Sequence, residues 1–338
     1  MNSRTKIATA AGGLAALMIA LSGCSSASET PASSTSSTSD APVDTPAEKP
    51  YVALISKGFQ QQFWQIVQTG AEQAAEEFNV DITFEGPDSE ANVDQQIQQL
   101  QAALDKSPDA IGFAALDSQA ASPLLQQADD QGIPVIAFDS GVDSDIPLTT
   151  ATTDNKAAAA EAAKQMADAI GNEGEVALVV HDQTSITGTD RRDGFLEYME
   201  ANEPNITIVD VQYGGGDQAE SADLAKAIIA SNPNLKGIFG SNEGSAIGVV
   251  QAVKELGLPD GQLVIIGFDS GLAQTDAIRS GLMYGAITQN PIGIGYETVK
   301  AAVAALNGET LPLVIDTGYF YYDSTNIDDP EIAAVLYE

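Results

Sequence analysis

Between positions 51 and 322 short apolar runs and longer amphipathic stretches take turns along the chain. Residues 51–56 form a mostly apolar run, the pattern of a strand buried on both faces. After it Phe63, Ile66, Val67, Gly70, Ala71, Ala74 and Phe78 recur at the spacing of one helix face. The same alternation predicts a strand over 80–84, a helix marked by Val93, Ile97, Leu100 and Leu104, a strand over 110–115 and a helix over 120–130. A strand over 133–138 follows, behind a Gly-Ile-Pro turn. The series then restarts. Helices are expected over 156–170, 191–201, 221–230, 245–256, 273–280 and 292–306. Strands are expected over 176–181, 206–211, 237–240, 263–268 and 284–288, and a β-rich stretch over 312–322.

Repeated strand–helix units with apolar strands imply parallel sheets covered by helices on both faces. The restart near Thr153 divides them into two doubly wound parallel-sheet α/β lobes. Ligands of open α/β sheets bind beyond the carboxyl ends of the strands. Acids and amides recur at those positions: Asp139 follows Ile-Pro-Val-Ile-Ala-Phe, Asn242 follows Gly-Ile-Phe-Gly-Ser, Asp269 follows Val-Ile-Ile-Gly-Phe, and Gln289 follows Tyr-Gly-Ala-Ile-Thr. Carboxylates accept from hydroxyls, whereas Asn and Gln both donate and accept, so this set suits an alcohol-rich ligand. Arg191 adds a strong donor. Its neighbour Arg192, beside Asp193, reads as a surface ion pair. Phe63 and Trp64 open the first helix and offer aromatic faces. Neighbours on a helix lie about 100° apart, so only one of the two, Phe63 on the apolar stripe, is expected to turn into the core.

Composition narrows the chemistry. The 338 residues carry 14 Lys and Arg against 48 Asp and Glu, a net charge of −34, which repels phosphate backbones and argues against nucleic-acid binding. One Cys and one His leave too few ligands for a zinc finger or an iron–sulfur cluster. No cofactor, metal or catalytic residue is therefore expected. His181 reads as a hydrogen-bonded structural residue. Asp139, Asp143 and Asp145, or Asp328 and Asp329, form no complete calcium loop, and the Gly214–Gly216 run lacks the phosphate-loop lysine.

The lone cysteine has its own context. Arg4 and Lys6 precede an apolar stretch over 7–21, too short for a comfortable membrane span, which ends in Leu21-Ser22-Gly23-Cys24. This resembles the lipobox of bacterial lipoproteins, which implies a signal peptide over 1–23, lipidation of Cys24 and anchoring to the outer face of the cell membrane. An ordinary secretion signal with a chance Cys is the other reading. Residues 24–49, rich in Ser, Thr, Pro and Ala, read as a flexible tether.

The folded region resembles the type I periplasmic binding proteins of the ribose-binding cluster. The resemblance is carried by KGFQQQFW (57–64), IPVIAFDSG (133–141), TTDN (152–155), RRDGF (191–195), GIFGSNEGSAIG (237–248), VIIGFDS (264–270) and ITQNPIGIG (287–295). It implies ligand contacts from Gln61, Phe63, Trp64, Asp139, Arg191, Asn242, Asp269 and Gln289. It also implies three hinge strands near Thr153-Asp154, Gln289-Asn290 and Thr317-Gly318. The lobes then interleave, 50–153 with 290–318 and 154–289 with 319–338. The function it implies is the substrate-binding lipoprotein of an ABC importer, monomeric, taking a small sugar or polyol and docking on a permease with a separate ATPase. The alternative is a sensory module for an autoinducer-like sugar signal.

Two departures bear on the ligand. Ribose binders carry an Arg after the first-lobe Asp, where this chain has Ser140, and an aromatic ring where it has Gly214–Gly216, with Tyr213 the nearest ring. Ser140 becomes a weaker candidate contact. Lys57 is either a replacement donor or an exposed loop cation. With these losses, alditols or ketoses of four to six carbons are expected to compete with ribose and glucose.

Overall fold

The computed structural model describes residues 49–337. The expected leader, the lipidation residue Cys24 and the tether up to Glu48 lie outside the described residues. From Tyr51 the chain alternates β1 (Tyr51–Ile55), α1 (Gln62–Phe78), β2 (Asp81–Glu85), α2 (Val93–Asp105), β3 (Ala110–Phe113), α3 (Ser122–Asp130), β4 (Val135–Phe138) and β5 (Thr150–Thr152). A second series runs α4 (Asn155–Ile170), β6 (Gly174–Val180), α5 (Ile186–Asn202), β7 (Ile206–Tyr213), α6 (Gln218–Ser231), β8 (Leu235–Gly240), α7 (Glu243–Leu256), β9 (Val264–Phe268), α8 (Leu272–Arg279) and β10 (Gly285–Gln289). The last elements are α9 (Pro291–Leu306), β11 (Val314–Asp316), β12 (Tyr319–Asp323) and α10 (Pro330–Ala333).

The strands form two sheets, in the orders β2-β1-β3-β4-β5-β11 and β7-β6-β8-β9-β10-β12. Every pairing is parallel except β10 with β12. Val52–Ile55 and Val176–Val180 are fully buried along their length, as strands covered by helices on both faces require. The two α/β lobes read from the sequence are therefore present, with a single antiparallel edge strand.

Two details differ from the sequence reading. Helix α5 begins at Ile186, ahead of Arg191, because Ser185 accepts from Gly188 N and caps a first turn that has little apolar pattern. Strand β5 is Thr-Ala-Thr, too short and polar to stand out. The β-rich tail divides between the sheets, β11 joining the first and β12 the second.

The chain crosses between the sheets after β5, after β10 and between β11 and β12. The crossings are bonded to one another: Thr153 Oγ1 donates to Gln289 Oε1 at 2.8 Å, and Thr317 N donates to Thr152 O at 2.9 Å. After the second crossing α9 packs on α1 at unusually close range. Added Cβ atoms at Gly70 and Gly295 would collide with the backbone at Ile292 and Val67, so both positions exclude a side chain. The tail then spans both bodies, with Ile332 in a core cluster of the second lobe and Tyr337 in that of the first. No helix among the described residues is long and apolar enough to cross a membrane.

Candidate functional site

The carboxyl ends of the two sheets face one another across a small cavity. Its wall gathers Gln61, Phe63, Trp64, Asp139, Arg191, Asn242, Asp269 and Gln289, together with Lys57. Ser140 is not part of it. That residue is buried behind the wall, its Oγ 3.5 Å from Thr187 N. The wall also holds Glu90, His181, Thr187 and Glu243, which the sequence reading had not placed in the site.

Strand ends aim the acids. Asp139 and Asp269 directly follow β4 and β9 with φ of 54° and 80°, a left-handed conformation rare for residues other than glycine. Such a turn at a strand end carries a cost that a functional position can justify. Asp269 is held on both oxygens, Oδ1 accepting from Gln289 Nε2 at 2.7 Å and Oδ2 from Glu243 N at 2.9 Å. Asp139 is different. Among the described residues its carboxylate has no hydrogen-bond donor, and burial pushes its pKa up to about 6 against the pull of Lys57 and Arg191.

Arg191 is buried and fixed. Nε donates to Asn155 Oδ1 at 2.8 Å, Nη1 to Ser241 O at 2.9 Å, and Cζ lies 3.6 Å above the centre of the Phe268 ring. Arg192 behaves as the surface pair expected of it, with Nε donating to Asp193 Oδ1 at 2.6 Å. Its Nη1 reaches the Tyr213 hydroxyl at 3.4 Å, which leaves Tyr213 outside the wall.

The reading of Lys57 as an exposed cation is corrected. Only 2% of the residue is exposed, and Nζ donates to Thr187 Oγ1 at 3.0 Å and Ser185 Oγ at 3.3 Å. The β1–α1 loop that carries it lies under the first turn of α5 from the other lobe. Asp182 Oδ2 is 3.7 Å away. Burial pushes Asp182 up, but Lys57, His181 and the hydroxyl and amide of Ser185 outweigh it and hold the carboxyl at about 2. His181 shares hydrogen bonds with Ser241 Oγ at 2.7 Å and Thr187 Oγ1 at 3.3 Å, and burial drives its pKa well below the ordinary value. It is hydrogen-bonded, as expected, and it also forms part of the wall.

The expectation that only one of Phe63 and Trp64 faces inward also fails. They are 4% and 1% exposed and meet edge to face at 5.0 Å. The first turn of α1 is covered by its own lobe on one side and by the opposite lobe on the other, so positions 100° apart are both enclosed. Trp64 Nε1 donates to Glu90 Oε1 at 2.7 Å, while Glu90 Oε2 accepts from Asn242 Nδ2 at 3.0 Å across the cavity. Burial raises the pKa of Glu90. Gly216 presses against this carboxylate, and Gln61 Nε2 donates to Gly216 O at 3.2 Å. The glycine run is thus a contact between lobes rather than a gap left by a missing ring. Glu90 was missed because it sits in a polar loop, Pro-Asp-Ser-Glu-Ala-Asn, with no periodic signal.

Acids, amides, two cations and two rings around so small a volume can hold one polyhydroxylated molecule. Among the described residues no group of three or more His, Cys, Asp or Glu is arranged to hold a metal ion.

Comparison with known proteins agrees with the geometry. The model of a periplasmic binding protein domain matches residues 52–310. The D-allose-binding periplasmic protein of Escherichia coli K12 is 29% identical over 271 residues, covering 77% of this chain and 86% of that protein. An ABC transporter solute-binding protein from Agrobacterium vitis, solved with α-D-tagatopyranose, is 33% identical with a TM-score of 0.82 over 86% of this chain and 100% of that one. A carbohydrate transporter solute-binding protein from Agrobacterium radiobacter, in complex with D-arabinose, is 30% identical with a TM-score of 0.83 over the same shares.

Proposed function

The chain belongs to the periplasmic binding protein family, and on that footing we propose that it is the substrate-binding component of an ABC importer, holding one small sugar or sugar alcohol between two closing lobes. The observation that carries this reading is the convergence of Asp139, Arg191, Asn242, Asp269 and Gln289 with Phe63 and Trp64 on one interlobe cavity. Hydroxyls bond to the acids, amides and guanidinium, and the rings cover the C–H faces between them. The buried position of Lys57 removes one reason for preferring open-chain polyols, because it returns a cation to the first-lobe side. A five- or six-carbon ring sugar is the ligand this favours, in line with the sugars bound by the similar proteins.

Ligand hydroxyls that bond to both lobes stabilise the closed form over the open one. The three bonded crossings act as the hinge, with 50–153 and 290–318 moving against 154–289 and 319–338. The closed form docks on a permease powered by a separate ATPase, and the protein itself binds without turnover. It works as an exported monomer, tethered through lipid on Cys24.

A thermal-shift panel of pentoses, hexoses and alditols tests the ligand class, since a molecule that binds only the native state raises the melting temperature with its concentration. D-allose, D-arabinose and D-tagatose are expected to give the larger shifts, and a panel in which only alditols act would overturn the ring-sugar reading. Anchoring is tested by Cys24→Ser, which is expected to move the protein from the membrane to the soluble fraction while leaving sugar binding intact. Equal membrane fractions for both forms would rule the anchor out.

A further inference from the structure

Helix α1 lacks a cap of its own. Its N-cap residue, Gln61, makes no side-chain bond to the first-turn amides, so these need an acceptor from elsewhere. They find it across the cleft: Gln62 N donates to Glu243 Oε1 and Phe63 N to Glu243 Oε2, each at 3.0 Å. Glu243 is the first residue of α7 in the other lobe and is itself buried, 4% exposed. Its backbone amide is already bonded to Asp269. Beside it Gln62 Oε1 accepts from Leu272 N at 3.1 Å, a second bond from the same turn of α1 to the second lobe. None of these bonds includes a ligand atom. A carboxylate at a helix N-terminus is also favoured by the helix dipole.

We propose that Glu243 is the latch of the closed cleft, a second-lobe carboxylate that caps the first-lobe helix α1 and so gives the ligand-free protein a standing population of the closed form. The proposal rests on the reading of the protein as a two-lobed sugar clamp. It makes Glu243 a positioning residue for Phe63 and Trp64, which ride on the turn it holds. In the open form water satisfies the amides of Gln62 and Phe63. When the lobes of a Glu243→Ala protein close, those amides lose water and gain nothing, which penalises closure specifically. Glu243→Gln keeps one acceptor oxygen and falls between the two.

The test is the distance between spin labels on the rims of the cleft. Asp88→Cys and Gln218→Cys supply them on exposed positions next to the Glu90–Gly216 contact, in the full chain carrying Cys24→Ser. The protein is unfolded, washed and refolded to remove retained sugar. We expect two distances in the ligand-free protein, a closed-to-open ratio lowered about tenfold by Glu243→Ala and about threefold by Glu243→Gln. Saturating D-allose restores the closed distance in all three. Ligand-free protein showing the open distance alone overturns the proposal, and so does a Glu243→Ala distribution that matches the unsubstituted protein. A residue with a merely structural role would lower the melting temperature without moving the ratio. The two readings fail separately: if no sugar shifts the ratio, the clamp reading falls, while the sugar-free comparison still decides the latch.

Discussion

The two walls of the cavity are built differently. On the second-lobe side Asp269, Arg191 and Asn242 each make two bonds to protein atoms, and Gln289 is tied to both Asp269 and Thr153. On the first-lobe side the central acid, Asp139, has no donor among the described residues, and it shares its wall with the rings of Phe63 and Trp64 and with Lys57, Gln61 and Glu90. One wall is set in place before a ligand arrives, whereas the other keeps an unspent carboxylate for it. Preorganised groups bind at less ordering cost, so the second-lobe wall should fix orientation and the first-lobe wall should complete the enclosure.

The largest effects are expected where the set wall is broken. Asp269→Ala strands Gln289 Nε2 and Glu243 N, and Arg191→Ala strands Asn155 Oδ1 and the Ser241 carbonyl, in addition to losing the ligand bond. Each should weaken binding of the best panel sugar by roughly ten- to a hundredfold, as for removal of a buried charged partner. Asp139→Asn strands no protein group and should cost less, about tenfold. Calorimetry that ranked Asp139→Asn above both would reverse the assignment of the two walls.

Much of this was legible beforehand because strand ends are legible. Apolar runs such as 264–268 locate a strand, and the polar residue after it falls at the cleft in any doubly wound sheet. Asp139, Asn242, Asp269 and Gln289 were found that way. What was missed depends on contacts between lobes, which no periodicity encodes. Lys57 looks like any loop lysine until α5 of the other lobe covers it. Glu90 belongs to a loop without pattern, and Glu243 looks like an ordinary acidic residue in a first helical turn. Phe63 and Trp64 were misjudged for the same reason, since the first turn of α1 is covered from both lobes.

A smaller effect separates the walls by pH. Burial pushes Asp139 up to about 6 and Glu243, with the help of neighbouring Asp269, up to about 7. A group whose pKa is raised in the folded form contributes stability that is present below its ordinary value and lost as pH rises through the raised one. The ligand-free protein should therefore lose stability, seen as a melting temperature several degrees lower, as pH rises from about 4 to about 7. Asp182, held at about 2, has the opposite sign: its contribution is present above the ordinary carboxylate value and fades only as pH falls through about 2. It stays constant over the measured range. Asp139→Asn should flatten the lower half of the slope, and an unchanged slope in that variant would remove Asp139 as its source.

The smallest effect belongs to Arg192, and its smallness is informative. Arg191 and Arg192 are adjacent on α5, so about 100° of helix rotation separates a guanidinium in the wall from one at the surface. The side chain of Arg192 is 25% exposed, and its partners are Asp193 and the Tyr213 hydroxyl. Partly exposed pairs of this kind contribute about 0–1 kcal/mol, and neither partner touches the cavity. Arg192→Ala should leave sugar affinity within about twofold and lower the melting temperature by no more than a few degrees. Set beside Arg191→Ala in the same titration, it compares two identical side chains on one helix that differ only in the direction they face. A larger loss from Arg192 than from Arg191 would mean that α5 is rotated from the position described, and with it the guanidinium assigned to the second-lobe wall.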